Sequence, residues 1–253
     1  MMFKEFFMLL VFAHVIGDFY VQTNTIAEKK KQQFLWVLLH GLFYWIVTLA
    51  VIIPVMSKEL VMFGSLSAVV HIVIDIIKYF YISKRAKKRF QIPGIERNIF
   101  FFDQALHLLG IALIAYFYVI QGNTISVHNI FEQFLQTMGM SPKSLLTWAV
   151  VLSVIHKPAN IAISLLLTPY KPKEKDDVSN LMDKKAGRFI GTLERVIIIF
   201  LIFLKQYSAI GLVLTAKSIA RYDKITKDPA FSEYYLLGTL LSTLFVIFIS
   251  FIL

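Results

Sequence analysis

The sequence contains no cysteine. Disulfide bonds and thiolate metal sites are therefore excluded, and any bound metal must be held by histidine, carboxylate or backbone oxygen. Charge is also scarce: charged residues make up 17% of the chain, and 16 acidic residues face 26 basic ones. The resulting net charge of +10 is concentrated in short segments between apolar runs. This distribution indicates contact with a membrane surface and no nucleic-acid partner.

Hydrophobic residues, by contrast, are abundant. They make up 57% of the chain, with 23 phenylalanines and a mean hydropathy of +0.68, whereas soluble domains contain about 45–50% apolar residues. A soluble domain of this size could not bury so much apolar surface. The composition therefore predicts an all-α fold, a polytopic transmembrane helical bundle.

Eight apolar runs approach or reach the length needed to cross a bilayer, which is about 17–25 residues. The runs are 5–22, 34–54, 60–82, 98–120, 144–168, 189–205, 207–221 and 232–253. The seventh is short and polar at one end, so we expect seven to eight spans. The first contains His14 and Asp18 and no small-residue cleavage site, which indicates a retained span and not a signal peptide.

The connecting segments predict the orientation. Basic residues cluster in segments 23–33, 83–97, 169–188 and 222–230, and the alternate segments hold almost none. The positive-inside rule then places the basic loops in the cytoplasm and the N-terminus outside. We expect a multi-pass protein of the cell inner (cytoplasmic) membrane, surrounded by membrane lipid.

The same pattern divides the chain into three parts. Residues 1–120 are expected to form a four-span bundle, residues 121–143 an external loop, and residues 144–253 a C-terminal bundle of three to four spans. The long cytoplasmic segment 169–188 is the expected docking surface for a cytoplasmic protein partner.

Three spans each carry one histidine and one aspartate four residues apart. The pairs are His14/Asp18, His71/Asp75 and Asp103/His107. Residues four apart lie on one helix face, and this spacing also lets one helix offer two ligands to a metal. The fourth span, which carries Asp103 and His107, runs in the direction opposite to the first and third spans, and the order of its pair is reversed. All three aspartates therefore lie nearer the cytoplasm, ~6–10 Å deep, and the histidines one turn deeper, ~12–16 Å.

A divalent cation would explain why these groups are buried. Ionisable groups inside a membrane are costly unless they are paired or functional, and His40 on the second span falls at a similar depth, ~9 Å. The predicted metal ligands are His14, Asp18, His40, His71, Asp75, Asp103 and His107. Nitrogen and oxygen donors without sulfur suit Zn²⁺, with Mn²⁺ or Fe²⁺ as alternatives, and seven ligands could hold two metals.

Two other interpretations of the histidines and aspartates remain open. They could join the helices through hydrogen bonds, or they could form a proton relay. Gln22 and Gln104 border the cluster and are candidate donors to its ligands.

A second group of polar residues is expected to be buried in the C-terminal bundle. Its members are His156, Lys157, Glu194, Arg195, Lys217, Arg221 and Glu233. Buried lysine and arginine can hold a phosphate or carboxylate, so the group is a candidate anion or substrate site. The alternative is a set of ion pairs, such as Glu194 with Lys217 or Arg195 with Glu233.

Several stretches resemble a bacterial inner-membrane family known as domain-of-unknown-function family 3307. The stretches are AHVIGDFYVQ (13–22), the His40 position, VVHIVIDIIK (69–78), FFDQALHLL (101–109), GRFIGTLER (187–195), TAKSIAR (215–221) and EYYLLGTLLS (233–242). The resemblance extends over nearly the whole chain and implies the fold, but no activity. The His71/Asp75 spacing is also similar to that in bacterial membrane-bound metal-dependent hydrolases, whose His-Arg-Gly and Thr-His-Ser signatures this chain lacks.

Three functions fit these observations. The first is a metal-dependent hydrolase of lipid-like or phosphorylated substrates, in which Asp18, Asp75 or Asp103 acts as a catalytic base. The second is a transporter of divalent cations or protons that uses the same residues as a transit site. The third is a non-catalytic membrane scaffold or sensor with a structural metal.

Overall fold

The computed structural model describes residues 2–86, 94–172 and 179–252, and these residues contain helices and no strand. The basic cluster Lys84–Arg89 and the docking segment 169–188 both extend into ranges that lie outside the described residues. The α-helices of the described chain are α1 (Met2–Val15), α2 (Asn24–Gln32), α3 (Phe34–Ile52), α4 (Lys58–Ala86), α5 (Ile95–Ile120), α6 (Asn129–Thr137), α7 (Pro142–Leu167), α8 (Ser179–Phe203), α9 (Tyr207–Ile219), α10 (Tyr222–Lys227) and α11 (Pro229–Ser250).

Five of the described helices are long and apolar enough to cross a membrane. They cover Phe34–Val55, Lys58–Lys84, Ile95–Ile120, Pro142–Tyr170 and Pro229–Ser250. The predicted all-α, polytopic transmembrane fold is therefore confirmed.

The predicted count of seven to eight spans is not confirmed. A bent pair of helices, Phe3–Val21 and Thr25–Gln32, raises the count to six if it forms one span. The sixth predicted run lies in α8, whose apolar part carries the charges of Arg188, Glu194 and Arg195. The seventh run forms α9, which has only 13 residues.

The chain divides into two compact units, Met1–Val150 and Val151–Leu253. The predicted division at residues 120 and 144 stays a prediction. In the first unit, α1 contacts α3 and α5, and α4 also contacts α3 and α5. These four helices therefore close a ring, and the side chains facing its axis are shielded on all sides.

One end of this ring is filled by apolar side chains from all four helices. Its buried core includes Phe6 and Leu10 of α1, Ile52 of α3, Phe63 of α4 and Tyr118 of α5. The rings of Phe6 and Tyr118 lie 4.2 Å apart. The core uses the start of α1 and α4 and the end of α3 and α5, so successive helices of the ring alternate in direction.

The first predicted span ends in a sharp bend. A π-helix, Ile16–Val21, follows α1, and the chain turns by 92° before α2. The Thr23 hydroxyl caps α2 by accepting a hydrogen bond from the backbone N–H of Ile26 at 3.3 Å, as threonine commonly does at a helix start. Because α2 contacts α3 and α4, the predicted loop 23–33 is mostly a helix packed against the bundle.

The predicted external loop 121–143 also contains a helix, α6. The backbone N–H of His128 donates to the carbonyl of Pro54 at 3.0 Å, which ties the start of α6 to the turn between α3 and α4. Leu135 is buried, whereas Ile130 and Phe134 are exposed. Helix α6 therefore buries Leu135 and leaves two large apolar side chains exposed.

The second unit is organised around α8 and α11. Helix α8 contacts α9 and α11, and α10 packs on α11. A small apolar core joins Ala159, Ile163 and Leu167 of α7 to Tyr234 and Leu241 of α11.

Candidate metal centre

Each helix of the four-helix ring contributes one buried histidine to its axis. His14, His40, His71 and His107 are each at most 2% exposed. They occupy the level next to the apolar core, and the aspartates of α4, of α5 and of the π-helix after α1 lie one turn further from that core. The aspartates are also shielded: Asp75 is 3% and Asp103 5% exposed, and the Asp18 side chain is 10% exposed. The structure thus brings all seven predicted ligands together.

Four ligand atoms in this centre lie close to one another, and five of the distances between them resemble those around a small metal ion. Asp18 Oδ1 lies 3.1 Å from His40 Nε2 and 3.3 Å from His71 Nε2. The two Nε2 atoms are 3.3 Å apart. Asp75 Oδ2 lies 3.4 Å from His71 Nε2 and 3.6 Å from His40 Nε2. A tetrahedral Zn²⁺ with bonds of ~2.0–2.1 Å has its ligands ~3.3–3.4 Å apart.

The other three predicted ligands lie beside this group. His14 Nε2 is 3.9 Å from Asp18 Oδ2 and 3.2 Å from Gln104 Oε1. One ligand atom each of Asp75, Asp103 and His107 lies within 4.8 Å of the other two, and the same holds for His14, His71 and His107. The donors therefore exceed the needs of one tetrahedral cation.

The ring of His71 is held between two other rings. Tyr44 stacks on it with a centroid distance of 3.7 Å and an interplanar angle of 8°. His107 also stacks on it, at 4.2 Å and 24°. The two contacts fix the plane of the imidazole and so the direction of its Nε2 atom. Sequence analysis missed Tyr44, although it lies four residues after His40 and so on the same helix face.

Two lysines pair with aspartates of the centre, and sequence analysis missed both. Lys30 Nζ donates to Asp75 Oδ2 at 2.8 Å and to Gln22 Oε1 at 3.0 Å. Lys78 Nζ donates to Asp103 Oδ2 at 2.7 Å. Lys78 could have been found, because it follows Asp75 by three residues on one helix face. Lys30 carries no such signal, since only the bend before α2 brings it to the site.

The charges and the unpaired atoms of the centre are compatible with a further cation. Three carboxylates face two ammonium groups, so one negative charge remains when the imidazoles are neutral. Asp103 Oδ1 and His107 Nε2 are buried, lack a hydrogen-bond partner and lie 3.6 Å apart. Buried polar atoms almost always have a partner, and an unplaced water or ion is a common explanation for exceptions. The predicted metal role therefore fits the residues present.

Gln104 and Gln22 border the centre as expected. The Gln104 amide nitrogen donates to Asp103 Oδ2 at 3.4 Å while its oxygen faces His14. Gln22 accepts from Lys30. Both side chains therefore orient groups of the centre from outside it.

The polar residues of the second unit form two separate sets of contacts. Lys217 Nζ donates to Glu194 Oε2 at 2.7 Å, which is the ion pair considered in the sequence analysis. The second pair considered there, Arg195 with Glu233, is wrong because Glu233 is exposed and Arg195 turns to neutral acceptors.

Arg195 is almost wholly buried, at 2% exposed. Its guanidinium donates to the carbonyl of Ile155 at 2.7 Å, Asn160 Oδ1 at 2.6 Å, Ser242 Oγ at 3.2 Å and Thr192 Oγ1 at 3.2 Å. These bonds join α7, α8 and α11. His156 is exposed and Lys157 and Arg221 are partly exposed, so the predicted set is not one buried cluster. Its anion-binding role stays a prediction.

The fold and the site together define a polytopic helical membrane protein with a buried histidine and aspartate centre in its N-terminal four-helix ring. A family model described as "Protein of unknown function (DUF3307)" matches residues 6–136. The match covers more than half of the chain and all four helices of the ring, so the chain belongs to this family. The C-terminal stretches lie beyond the matched range. No curated protein and no solved structure is significantly similar to the chain.

Proposed function

We propose that this protein is a metal-dependent hydrolase of the inner membrane, with a divalent cation held by Asp18, His40, His71 and Asp75. The observation that carries the proposal is the set of five distances of 3.1–3.6 Å between these four ligand atoms. Zn²⁺ fits the spacing and the donor types best, and Mn²⁺ or Fe²⁺ accepts the same donors.

Hydrogen bonds alone account poorly for this geometry. A ring nitrogen offers either one N–H or one lone pair, yet His40 Nε2 faces ligand atoms of Asp18, His71 and Asp75 within 3.6 Å. One hydrogen bond would satisfy one of these contacts and leave the others unpaired in the bundle axis. A cation bound by His40, His71 and a neighbouring carboxylate would accept lone pairs from several of these atoms at once.

The surplus of polar groups beside the cation supports catalysis. A bound divalent cation lowers the pKa of a coordinated water and polarises an acyl or phosphoryl oxygen. Asp103 is the best-placed general base: Lys78 and Gln104 hold its Oδ2, while its Oδ1 has no hydrogen-bond partner. In the hydrolysis, the water oxygen bonds to the acyl carbon or phosphorus, the ester bond breaks, and the leaving oxygen receives a proton. Asp18 and Asp75 serve as ligands.

Transport of a cation or proton is the second candidate, and the residual negative charge of the centre is the observation that favours it. A transit site needs access from both sides of the membrane. The end of the ring next to the histidines is packed with Phe6, Leu10, Ile52, Phe63 and Tyr118, each at most 4% exposed. This apolar layer favours a centre that opens on one side only, as a hydrolase requires.

The basic loops support an orientation with the aspartate side of the centre towards the cytoplasm. The first experiment is to purify the protein in detergent and to quantify bound metals by elemental mass spectrometry. We expect one or two equivalents of Zn, Mn or Fe, and loss of metal in the variant His71→Ala/Asp75→Ala. The matched control is His128→Ala, which removes an exposed histidine outside the centre and should retain the metal.

The same preparations are then assayed for hydrolysis of acyl esters and phosphate esters in lipid and soluble form. Activity that a chelator removes and Zn²⁺ restores would support the proposal. Absence of metal from the wild-type protein, after exposure to each ion, would refute the metal centre and favour a proton relay or helix packing. Full metal occupancy without any turnover would leave a structural metal and refute the hydrolase.

A further inference from the structure

An apolar groove runs along the surface of the first unit between α4 and α5. Its volume is ≈ 530 Å³, within the range of ~300–1,000 Å³ that small-molecule sites occupy. The apolar walls are formed by Ile74, Ile77, Ile95, Ile99, Phe102 and Leu106. Both helices are membrane-span candidates, so the groove faces the part of the molecule where lipid is the solvent.

The groove is open on its outer side. Ile77 is 63% and Phe102 68% exposed. Inside a bilayer, such apolar surface is covered by hydrocarbon, since water has no access to it. A hydrocarbon chain can therefore enter the groove sideways from the membrane.

The floor of the groove, unlike its walls, is charged. It contains the ion pair between Lys78 and Asp103, with 2.7 Å between Nζ and Oδ2. An ammonium group has three N–H donors, so Lys78 has donors left beyond the one that Asp103 accepts. Its side chain is 31% exposed, and the exposed Asn98 also lines the groove.

The floor also connects the groove to the metal centre. Asp103 Oδ1, which has no hydrogen-bond partner, lies 3.6 Å from His107 Nε2. The His107 ring stacks on the ring of His71. His71 is one of the four residues proposed to bind the cation. A group bound at Lys78 therefore lies at the edge of the proposed catalytic site.

We propose that this groove binds the hydrocarbon chain of a membrane lipid that ends in a phosphate, with the phosphate at Lys78 and Asn98. The inference rests on the proposed function and names its substrate class. Lysine donates charge-assisted hydrogen bonds to phosphate, and the apolar isoleucine walls can pack against the hydrocarbon chain. Hydrolysis joins the water oxygen to phosphorus, breaks the bond from phosphorus to the lipid oxygen, and leaves a proton on that oxygen.

The test uses the full chain in bilayer nanodiscs and a phosphatidic acid that carries a photoreactive diazirine in its acyl chain. After illumination, cross-linked peptides are identified by mass spectrometry. We expect labelling within residues 74–81 and 95–106. Unlabelled phosphatidic acid should compete with the probe, and diacylglycerol, which has the same acyl chains without the phosphate, should compete roughly tenfold less at the same concentration, as expected for the loss of a charge-assisted hydrogen bond.

Two variants, each with a control, separate the contribution of the lipid's hydrocarbon chain from that of its head group. Ile99→Trp fills the groove and should reduce labelling by both anionic and neutral diazirine lipids. The matched control, Leu108→Trp, adds the same bulk to the same helix outside the groove and should label like the wild type. Lys78→Gln should lose most of the preference for the anionic probe, and Lys78→Arg, which keeps the charge and the ion pair, should restore it.

Metal is quantified in the same samples, and labelling is repeated after chelator treatment. Groove labelling that prefers phosphate in metal-free protein would support the lipid site even if the hydrolase proposal fails. Metal-loaded protein without groove labelling, or with labelling indifferent to the head group and to Ile99→Trp, would overturn the lipid site while the metal centre stands.

Discussion

Gly41 allows helices α3 and α4 to pack closely beside the metal centre. A Cβ atom added to Gly41 would lie 2.4 Å from Cδ1, 2.8 Å from Cγ1 and 3.2 Å from Cβ of Ile72. Optimal carbon contacts are about 3.5–4.0 Å. Rotation of the Ile72 side chain can relieve the contacts with Cδ1 and Cγ1. It cannot relieve the contact with Cβ, because the backbone of α4 fixes the position of that atom. Gly41→Ala therefore requires the helices to separate by roughly 0.3–0.8 Å.

This separation acts directly on the ligands. His40 precedes Gly41 and His71 precedes Ile72, and their Nε2 atoms are 3.3 Å apart. Metal–ligand distances tolerate only about ±0.2 Å, so we expect metal affinity to fall roughly 10- to 100-fold, as for disrupted support of a ligand. Over-packing costs about 1–3 kcal/mol. The better helix propensity of alanine offsets about 0.5–1 kcal/mol of that cost.

The assay is a competition titration of purified protein against a metal-binding dye, together with thermal unfolding. Gly64→Ala is the matched control, because its Cβ meets the flexible end of Ile52 at 2.5 Å in the same helix pair, away from the ligands. It should bind metal within about twofold of the wild type. Adding Ile72→Ala to Gly41→Ala should recover affinity. If Gly41→Ala binds metal as tightly as the wild type, the spacing of α3 and α4 does not hold the centre.

Three further predictions concern buried charge. Lys30→Met removes the ammonium group that pairs with Asp75. It should lower the free energy of unfolding by roughly 3–5 kcal/mol in chelator-treated protein, and by less in metal-bound protein. Equal losses in both states would contradict a cation at this carboxylate. Arg195→Lys keeps the positive charge but removes the planar guanidinium with its several N–H donors. We expect the free energy of unfolding to fall by roughly 3–5 kcal/mol, measured by thermal unfolding. An unchanged unfolding midpoint would refute the idea that the hydrogen bonds of Arg195 hold α7, α8 and α11 together. Lys217→Met leaves Glu194 buried without its partner. Adding Glu194→Gln should regain part of the lost stability, and a double variant no more stable than the single one would show that the pair contributes nothing.

The sequence alone was sufficient to predict the membrane-spanning helical class and the histidines and aspartates that the structure brings together. Both follow from local periodicity. Apolar runs of span length can bury their backbone polar groups only as helices, and residues four apart face the same way on a helix whatever surrounds it. His14/Asp18 and His71/Asp75 were recognisable for this reason, and Lys78 was equally accessible from its spacing.

The span count and the second polar group show where local pattern is insufficient. Apolar run length does not tell how charges inside a helix are satisfied. A pair of Arg195 with Glu233 was one alternative to an anion site, yet Arg195 binds oxygens of α7, α8 and α11 instead. Which acceptors surround a buried guanidinium depends on the packing of three helices, and hydropathy carries no information on that packing.

Composition and spacing thus determined that this protein is a bundle of apolar helices with histidines and aspartates on inward faces. Only the tertiary structure decided that α1, α3, α4 and α5 close one ring, because closure depends on contacts between residues distant in sequence. The same contacts set the spacing of 3.1–3.6 Å around His40 and His71 and leave a groove between α4 and α5. The 92° bend after Val21 brings Lys30 to Asp75, a contact that no periodicity encodes because it crosses a break in the helix.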